Sequence, residues 1–213
     1  MSPDAWRRLL SERLDRPETW RPDLTARRSD FDLNPDLAHM RGRTLRPAAV
    51  LIPLVERPSG VMALLTRRSD ALRSHTGQIA FPGGRFDPGE GPVEAALREA
   101  WEEVGLPAEA VEPLGLSDVY ETGTGFLVTP VVGWLDPAFE PVPNPDEVAE
   151  TFEAPLPWLM DAANHRRDFY EIAGGKRWFY AMEHDGRNIW GATAGMIRAL
   201  WLRLFGDEAR EAG

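Results

Sequence analysis

The sequence predicts an α/β protein: a mixed sheet with helices on its faces. Three observations carry this. A β-like apolar run, Ala48-Ala49-Val50-Leu51-Ile52-Pro53-Leu54-Val55, is followed by the turn Arg57-Pro58-Ser59-Gly60 and a hairpin partner, Val61-Met62-Ala63-Leu64-Leu65-Thr66. The clearest helix spans 92–104, with strands expected on both sides of it in the chain. A second helix is expected to close the chain, from about Thr193 to Phe205.

In chain order, Trp6, Leu9, Leu10 and Leu14 fall at roughly helical spacing within residues 4–15, so a short amphipathic helix is expected there. Residues 16–46 are rich in Pro, Arg and Asp and read as an irregular arm. After the first hairpin, residues 67–92 are dense in Gly and Pro and read mostly as loop, with a short strand at 78–81. In the helix 92–104, Pro92 suits the first turn and Gly105 the left-handed residue past the end. Val93, Ala96, Leu97, Ala100 and Val104 form one apolar stripe. Further strands are expected at 115–120 and 126–134, a short helix at 155–163, and a hairpin from 168–173 and 176–182 around Gly174-Gly175. The domain reading is an N-terminal helix and arm at 1–46, one body at 47–206 and a tail at 207–213.

The 213 residues carry a formal net charge of −10. Residues 1–46 hold ten Arg against eight acidic residues, so the remainder is at −12. That balance disfavours sequence-independent nucleic-acid binding, which rests on neutralising phosphates. The absence of cysteine excludes disulfides, thiolate metal sites and a Cys nucleophile. Without a membrane-length apolar stretch or a signal-peptide core, a cytoplasmic location is expected and a membrane partner is not. A homodimer is left open, since the arm can wrap its own domain or a partner subunit.

The chemistry concentrates on the helix. Glu99, Glu102 and Glu103 share one arc of it, Glu102 and Glu103 lying about 60° and 40° to either side of Glu99. They repel one another and occupy the last turn, where the helix dipole disfavours anions. A solvated acidic face is one reading. The other is a divalent cation, and oxygen-only ligands select Mg2+ or Mn2+.

The spacing around these residues separates the two readings. From Gly84 there are five residues to Glu90, then seven to Arg98-Glu99, then Ala100, Trp101, Glu102-Glu103, Val104, Gly105 and Leu106. This resembles, at all nine specified positions, the signature of the Nudix hydrolase superfamily; Ala100 is the smallest residue an aliphatic slot takes. The resemblance implies a loop–helix–loop on an α/β/α sandwich. It also implies Mg2+- or Mn2+-dependent hydrolysis of a nucleoside diphosphate linked to another moiety, a small-molecule substrate. By position, Glu99, Glu102 and Glu103 bind metal or act through its water, and Arg98 orients the carboxylates. Glu90 is a secondary ligand or a loop anchor. Gly84 and Gly105 serve backbone geometry.

The preceding segment has Leu64-Leu65-Thr66, Arg68-Ser69, Arg73, Gly77 and Phe81-Pro82-Gly83-Gly84. It is similar to the auxiliary motif of the coenzyme A pyrophosphatase branch, with His75 and Gln78 also fitting. That implies a substrate site around Arg68, Arg73, Gly77, Phe81, Gly83 and Gly84. The implied reaction converts coenzyme A and water to 4′-phosphopantetheine and adenosine 3′,5′-bisphosphate, with acyl-CoA or oxidised CoA as variants. Independently of the resemblance, Arg67, Arg68, Arg73 and Arg85 gather four guanidinium groups in an acidic body. Glu147, in a Pro-rich distal loop, is a candidate base. Thr122-Gly123-Thr124-Gly125 reads as a mobile hairpin turn, and Trp178 and Trp190 as core or pocket lining. The rival readings are a Nudix hydrolase of other preference, such as ADP-ribose or NADH, and a silent ligand-sensing module.

Overall fold

The computed structural model describes residues 1–22, 25–41, 44–70, 77–172 and 175–211, with Met40 and 207–211 described in backbone only. The elements run α1 (Pro3–Arg13), β1 (Arg28–Ser29), β2 (Arg46–Arg57), β3 (Gly60–Arg68), β4 (Ile79–Ala80), β5 (Gly83–Arg85), α2 (Pro92–Val104), β6 (Val111–Leu116), β7 (Tyr120–Glu121), β8 (Phe126–Leu135), β9 (Val148–Pro155), α3 (Leu156–Leu159), β10 (Arg166–Ile172), β11 (Gly175–His184), β12 (Arg187–Trp190) and α4 (Ala192–Glu211).

Among the described residues β1 to β9 form one mixed sheet, with β2 at its centre. β2 runs parallel to β8, from Arg46 opposite Phe126 to Val55 opposite Leu135. Along its other edge it pairs antiparallel with β5 at Ala48–Val50 and then with β3 at Leu54–Arg57. A strand covered on both faces reads as a continuous apolar run, which is how 48–55 reads. Pro53 has no N–H to give, and it falls where β2 passes from β5 to β3, so no bond to either is forfeited.

Alternate β2 residues feed two cores. Ala49, Leu51 and Val55 pack with Ala95, Ala96, Ala100 and Val104 of α2. Ile52 and Leu54 pack with Ile197, Leu200 and Leu204 of α4 and with Trp6 and Leu10 of α1. The sheet is thus sandwiched between α2 and the α1–α4 layer, the mixed α/β architecture expected. The arm therefore packs on its own chain. Ser2 caps α1 by accepting from the Ala5 N–H at 3.2 Å, and Pro3 opens its first turn.

Several expectations need correction. The strand expected at 115–120 is two strands, β6 ending at Leu116 and β7 starting at Tyr120. Pro113 and Gly115 flank a bulge in β6, where Gly115 at φ 155° lets Leu14 and Asp15 approach. The helix expected at 155–163 is the four-residue α3 followed by a 3-10 turn at Ala162–Asn164. β1, β5, β9 and β12 were not anticipated. In α2, Val93 and Leu97 are only half-buried, and Ala95 joins the stripe instead. The turn expected at Gly174-Gly175 lies in part outside the described residues.

Candidate active site

Two glycines bring β5 against α2. A Cβ on Gly83 would stand 2.4 Å from the Ala49 carbonyl oxygen and 2.6 Å from Val50 Cα. A Cβ on Gly84 would stand 2.4 Å from Cδ of Glu99. β5 can therefore pair with β2 and still leave room for the helix carboxylates. At the far end of α2, Gly105 takes φ 67° and its N–H closes on the Ala100 and Trp101 carbonyls.

Arg98 organises the helix side. Its Nε donates to Glu90 at 2.8 Å, Nη1 to Glu99 at 2.9 Å and to Glu102 at 3.4 Å, and Nη2 to the Arg85 carbonyl at 2.8 Å. These carboxylates push the Arg98 pKa further up, the Glu90 hydrogen bond first among them. Glu90 is held below the usual carboxylate range, chiefly by Arg98. It also accepts from the Asp87 N–H at 2.8 Å. Of the two roles open to Glu90, ligand or loop anchor, the geometry is that of an anchor for residues 85–90.

Glu103 is 3% exposed. Burial pushes its pKa up to about 8; Arg68 opposes the shift, and Glu99 and Glu147 reinforce it. Arg68 Nη1 stands 3.7 Å from its Oε1. Glu99 is likewise raised, by burial against the opposing effect of Arg98. Glu102 is more exposed and is not among the residues lining the cleft that Glu99 and Glu103 line. Glu147, the candidate from the distal loop, lines that cleft too. Its loop is tied to the end of α2: Val142 N–H donates to the Val104 carbonyl and Asn144 N–H to that of Glu103, both at 2.9 Å. These bonds satisfy carbonyls a helix C-terminus leaves free, and they set Glu147 across from Glu103.

The cleft has a volume of about 470 Å³. Of the residues proposed for the substrate site, Gly83, Gly84 and Arg68 line it and Phe81 does not. Phe81 is 3% exposed in the main core with Ile79, Leu65 and Ile189, so its ring is a packing element. Gly77, at φ 67°, is likewise outside the cleft lining, over Asp70 and Arg67. Arg73 and His75 lie outside the described residues. The arginine cluster is not a free anion site as a whole, because Arg67 pairs with Asp70 and Glu150. Arg68 faces Glu103, with its Nε buried and unpartnered.

Sequence reasoning missed Arg46, Thr124 and Phe126, which line the opposite wall. The turn 122–125 is built rather than loose. Thr122 Oγ1 accepts from the Phe126 N–H at 3.0 Å, and the Gly123 N–H donates to Asp30 at 2.7 Å. Trp178 sits on the three-stranded β10–β11–β12 sheet against Phe169, and Trp190 against Phe179, both away from the cleft. A larger cavity, about 560 Å³, lies between Trp20 and Phe86, is mostly apolar, and has Glu90 already committed to Arg98.

The donor set fits a hard cation in its chemistry: three carboxylates, Glu99, Glu103 and Glu147, repel one another at one cleft wall and two of them have raised proton affinity. Among the described residues no three acidic or histidine side chains stand gathered around one point. Glu99 turns to Arg98 instead, so coordination requires the carboxylates to rotate.

The chain is similar to known proteins over most of its length. The NUDIX domain family matches residues 45–172. The uncharacterized Nudix hydrolase NudL of Citrobacter koseri is 45% identical over 170 residues, covering 78% of this chain and 87% of that protein. The protein of the same name from Salmonella dublin is 42% identical over 177 residues, covering 81% and 89%. Among solved structures, the Nudix hydrolase RenU of M. smegmatis is 25% identical with a TM-score of 0.48, covering 79% of this chain and 89% of that one.

Proposed function

The chain belongs to the Nudix hydrolase family, and from that premise we propose that it hydrolyses the pyrophosphate of coenzyme A to 4′-phosphopantetheine and adenosine 3′,5′-bisphosphate. The single observation that carries the chemistry is the cleft in which buried Glu103 faces Glu99, Glu147 and Arg68. The substrate choice is supported by the segment from Leu64 to Gly84, similar to the coenzyme A branch, of which Arg68, Gly83 and Gly84 line this cleft.

Glu99 and Glu103, with Glu102 by its family position, would hold Mg2+ or Mn2+. The cation supplies positive charge against the charge that builds on the phosphoryl oxygens. The chain's own residues do the rest. Arg98 holds Glu99 at rest beside β5 and anchors Glu90 and the loop before α2. A water oxygen forms a bond to one phosphorus as the bridging P–O bond breaks, and that electron pair leaves with the other phosphate. The water proton passes to a carboxylate of the cleft; Glu103 and Glu147 are the acceptors in place. Arg68 limits the cost of the buried charge on Glu103 and reaches the same space as the substrate phosphates.

Initial rates on coenzyme A, an acyl-CoA, ADP-ribose and NADH at equal concentration test the reading. Coenzyme A or its acyl form is expected to be turned over fastest, with activity abolished by chelator and restored by Mg2+ or Mn2+. Faster turnover of ADP-ribose or NADH contradicts the substrate, and no turnover of any substrate with metal contradicts the enzyme.

A further inference from the structure

The outer wall of the cleft carries two guanidinium groups on one aromatic ring. Arg46 Cζ stands 4.0 Å from the centroid of Phe126, and Arg85 Cζ stands 5.6 Å from it. Three strands bring them together, because Arg46 lies opposite Phe126 across β2 and β8, and Arg85 lies opposite Ala48 across β5 and β2. Arg46 is further fixed by a hydrogen bond from Nη2 to the Thr124 carbonyl at 3.0 Å. All four residues line the same cleft as Glu99 and Glu103.

Their electrostatic setting differs from that of the other arginines near the cleft, in a chain with 34 acidic residues against 24 basic ones. Arg57, Arg67, Arg68, Arg98 and Arg187 all meet a carboxylate. Among the described residues Arg46 and Arg85 meet none; their contacts are to Phe126 and, for Arg46, the Thr124 carbonyl. An arginine stacked on a ring keeps its N–H edge free for an oxyanion.

The position of the two arginines along the sheet bears on which anion they would meet. Gly83, whose N–H bonds Glu103, pairs with Val50, and Arg46 is four residues further along β2. That is about 13 Å along the strand, before the arginine side chain reaches back toward the cleft. Arg46 is thus rooted toward the far end of the cleft from Glu103, and Arg85, opposite Ala48, lies between them.

We propose that Arg46 and Arg85, held on Phe126, form a subsite for a second phosphate on the nucleoside, a monoester separate from the pyrophosphate that is cut. This rests on the proposed pyrophosphatase reading and deepens it. It assigns selection of a 3′-phosphorylated nucleotide to the rim rather than to Arg68 and the segment around it.

The test compares coenzyme A with 3′-dephospho-coenzyme A for the wild type, Arg46→Ala and Arg85→Gln. The wild type is expected to prefer coenzyme A in kcat/KM. Each variant is expected to raise KM for coenzyme A about tenfold, so that the preference collapses toward one. A preference that survives in both variants, or an equal rise in KM for both substrates, overturns the subsite. Calorimetry with adenosine 3′,5′-bisphosphate and adenosine 5′-phosphate keeps this test separate from the reaction itself. Tighter binding of the bisphosphate by wild type, lost in both variants, supports the subsite even if coenzyme A is not hydrolysed. Equal binding of the two nucleotides by wild type overturns it even if coenzyme A is hydrolysed.

Discussion

The inner end of the cleft and its rim are built from opposite materials. At the inner end Glu103 is 3% exposed, the backbone of β5 presses on β2, and Arg98 and Arg68 are each engaged by carboxylates. At the rim Arg46 and Arg85 are exposed, stacked on Phe126, and meet no acid among the described residues. The inner end has its geometry fixed by surrounding packing, which suits chemistry. The rim has spare charge and spare space, which suits recognition. Changes at the inner end should therefore act on kcat, and changes at the rim on KM.

The largest effect expected is that of Glu103→Gln. It keeps the shape and removes the proton acceptor, so kcat at saturating Mg2+ should fall on the order of 10²–10⁴-fold with the fold intact by circular dichroism. Near-normal turnover would break the account of the inner end. The two neighbouring glycines come next, and they should part company. In Gly84→Ala the added methyl meets the tip of Glu99, a side chain that can swing away. Activity should drop roughly a hundredfold while Tm changes little. In Gly83→Ala the methyl meets backbone on β2, so Tm should fall by roughly 5–10 °C. Equal Tm loss in both variants would contradict the separation of site from scaffold at these adjacent positions.

Glu147→Gln should have a smaller effect on rate. Removing that charge lowers the proton affinity of Glu99 and Glu103, because Glu147 raises both. The acid limb of the pH–rate profile should move to lower pH, and an unmoved limb would remove Glu147 from the site. The smallest effect is on stability in chelator. The folded state holds the Glu103 proton up to about pH 8, whereas the carboxyl has an ordinary value of 4.5. Between these values the folded state binds more protons than the unfolded one, so this group's contribution to stability declines as pH rises and is flat above. The Tm of wild type minus that of Glu103→Gln should decrease across this window; an unchanged difference would mean Glu103 is not buried as described.

The inner end was largely legible in the sequence because its parts are local. Glu99 and Glu103 share one arc of a helix by their spacing, and Gly84, Glu90 and Arg98 join them through the family signature that the same loop–helix segment resembles. Glu147 was a candidate only by position in a distal loop, and its backbone ties to α2 are long-range bonds no pattern announces. The rim was illegible for the same reason. Arg46, Arg85 and Phe126 come from three strands whose register is set by sheet pairing, and each alone reads as a surface residue. Phe81 shows the converse error, since a motif position was taken for a ligand contact when its ring fills the core. β9 was missed because its Thr151-Phe152-Glu153 face is only half-buried and alternates weakly; its pairing with β3 supplies the signal.

Mass-spectrometric identification of the products formed from coenzyme A with Mg2+ tests the central claim most directly. The account predicts equal amounts of 4′-phosphopantetheine and adenosine 3′,5′-bisphosphate, formed by wild type and not by Glu103→Gln. Intact coenzyme A, or products in which the pyrophosphate survives, would contradict it.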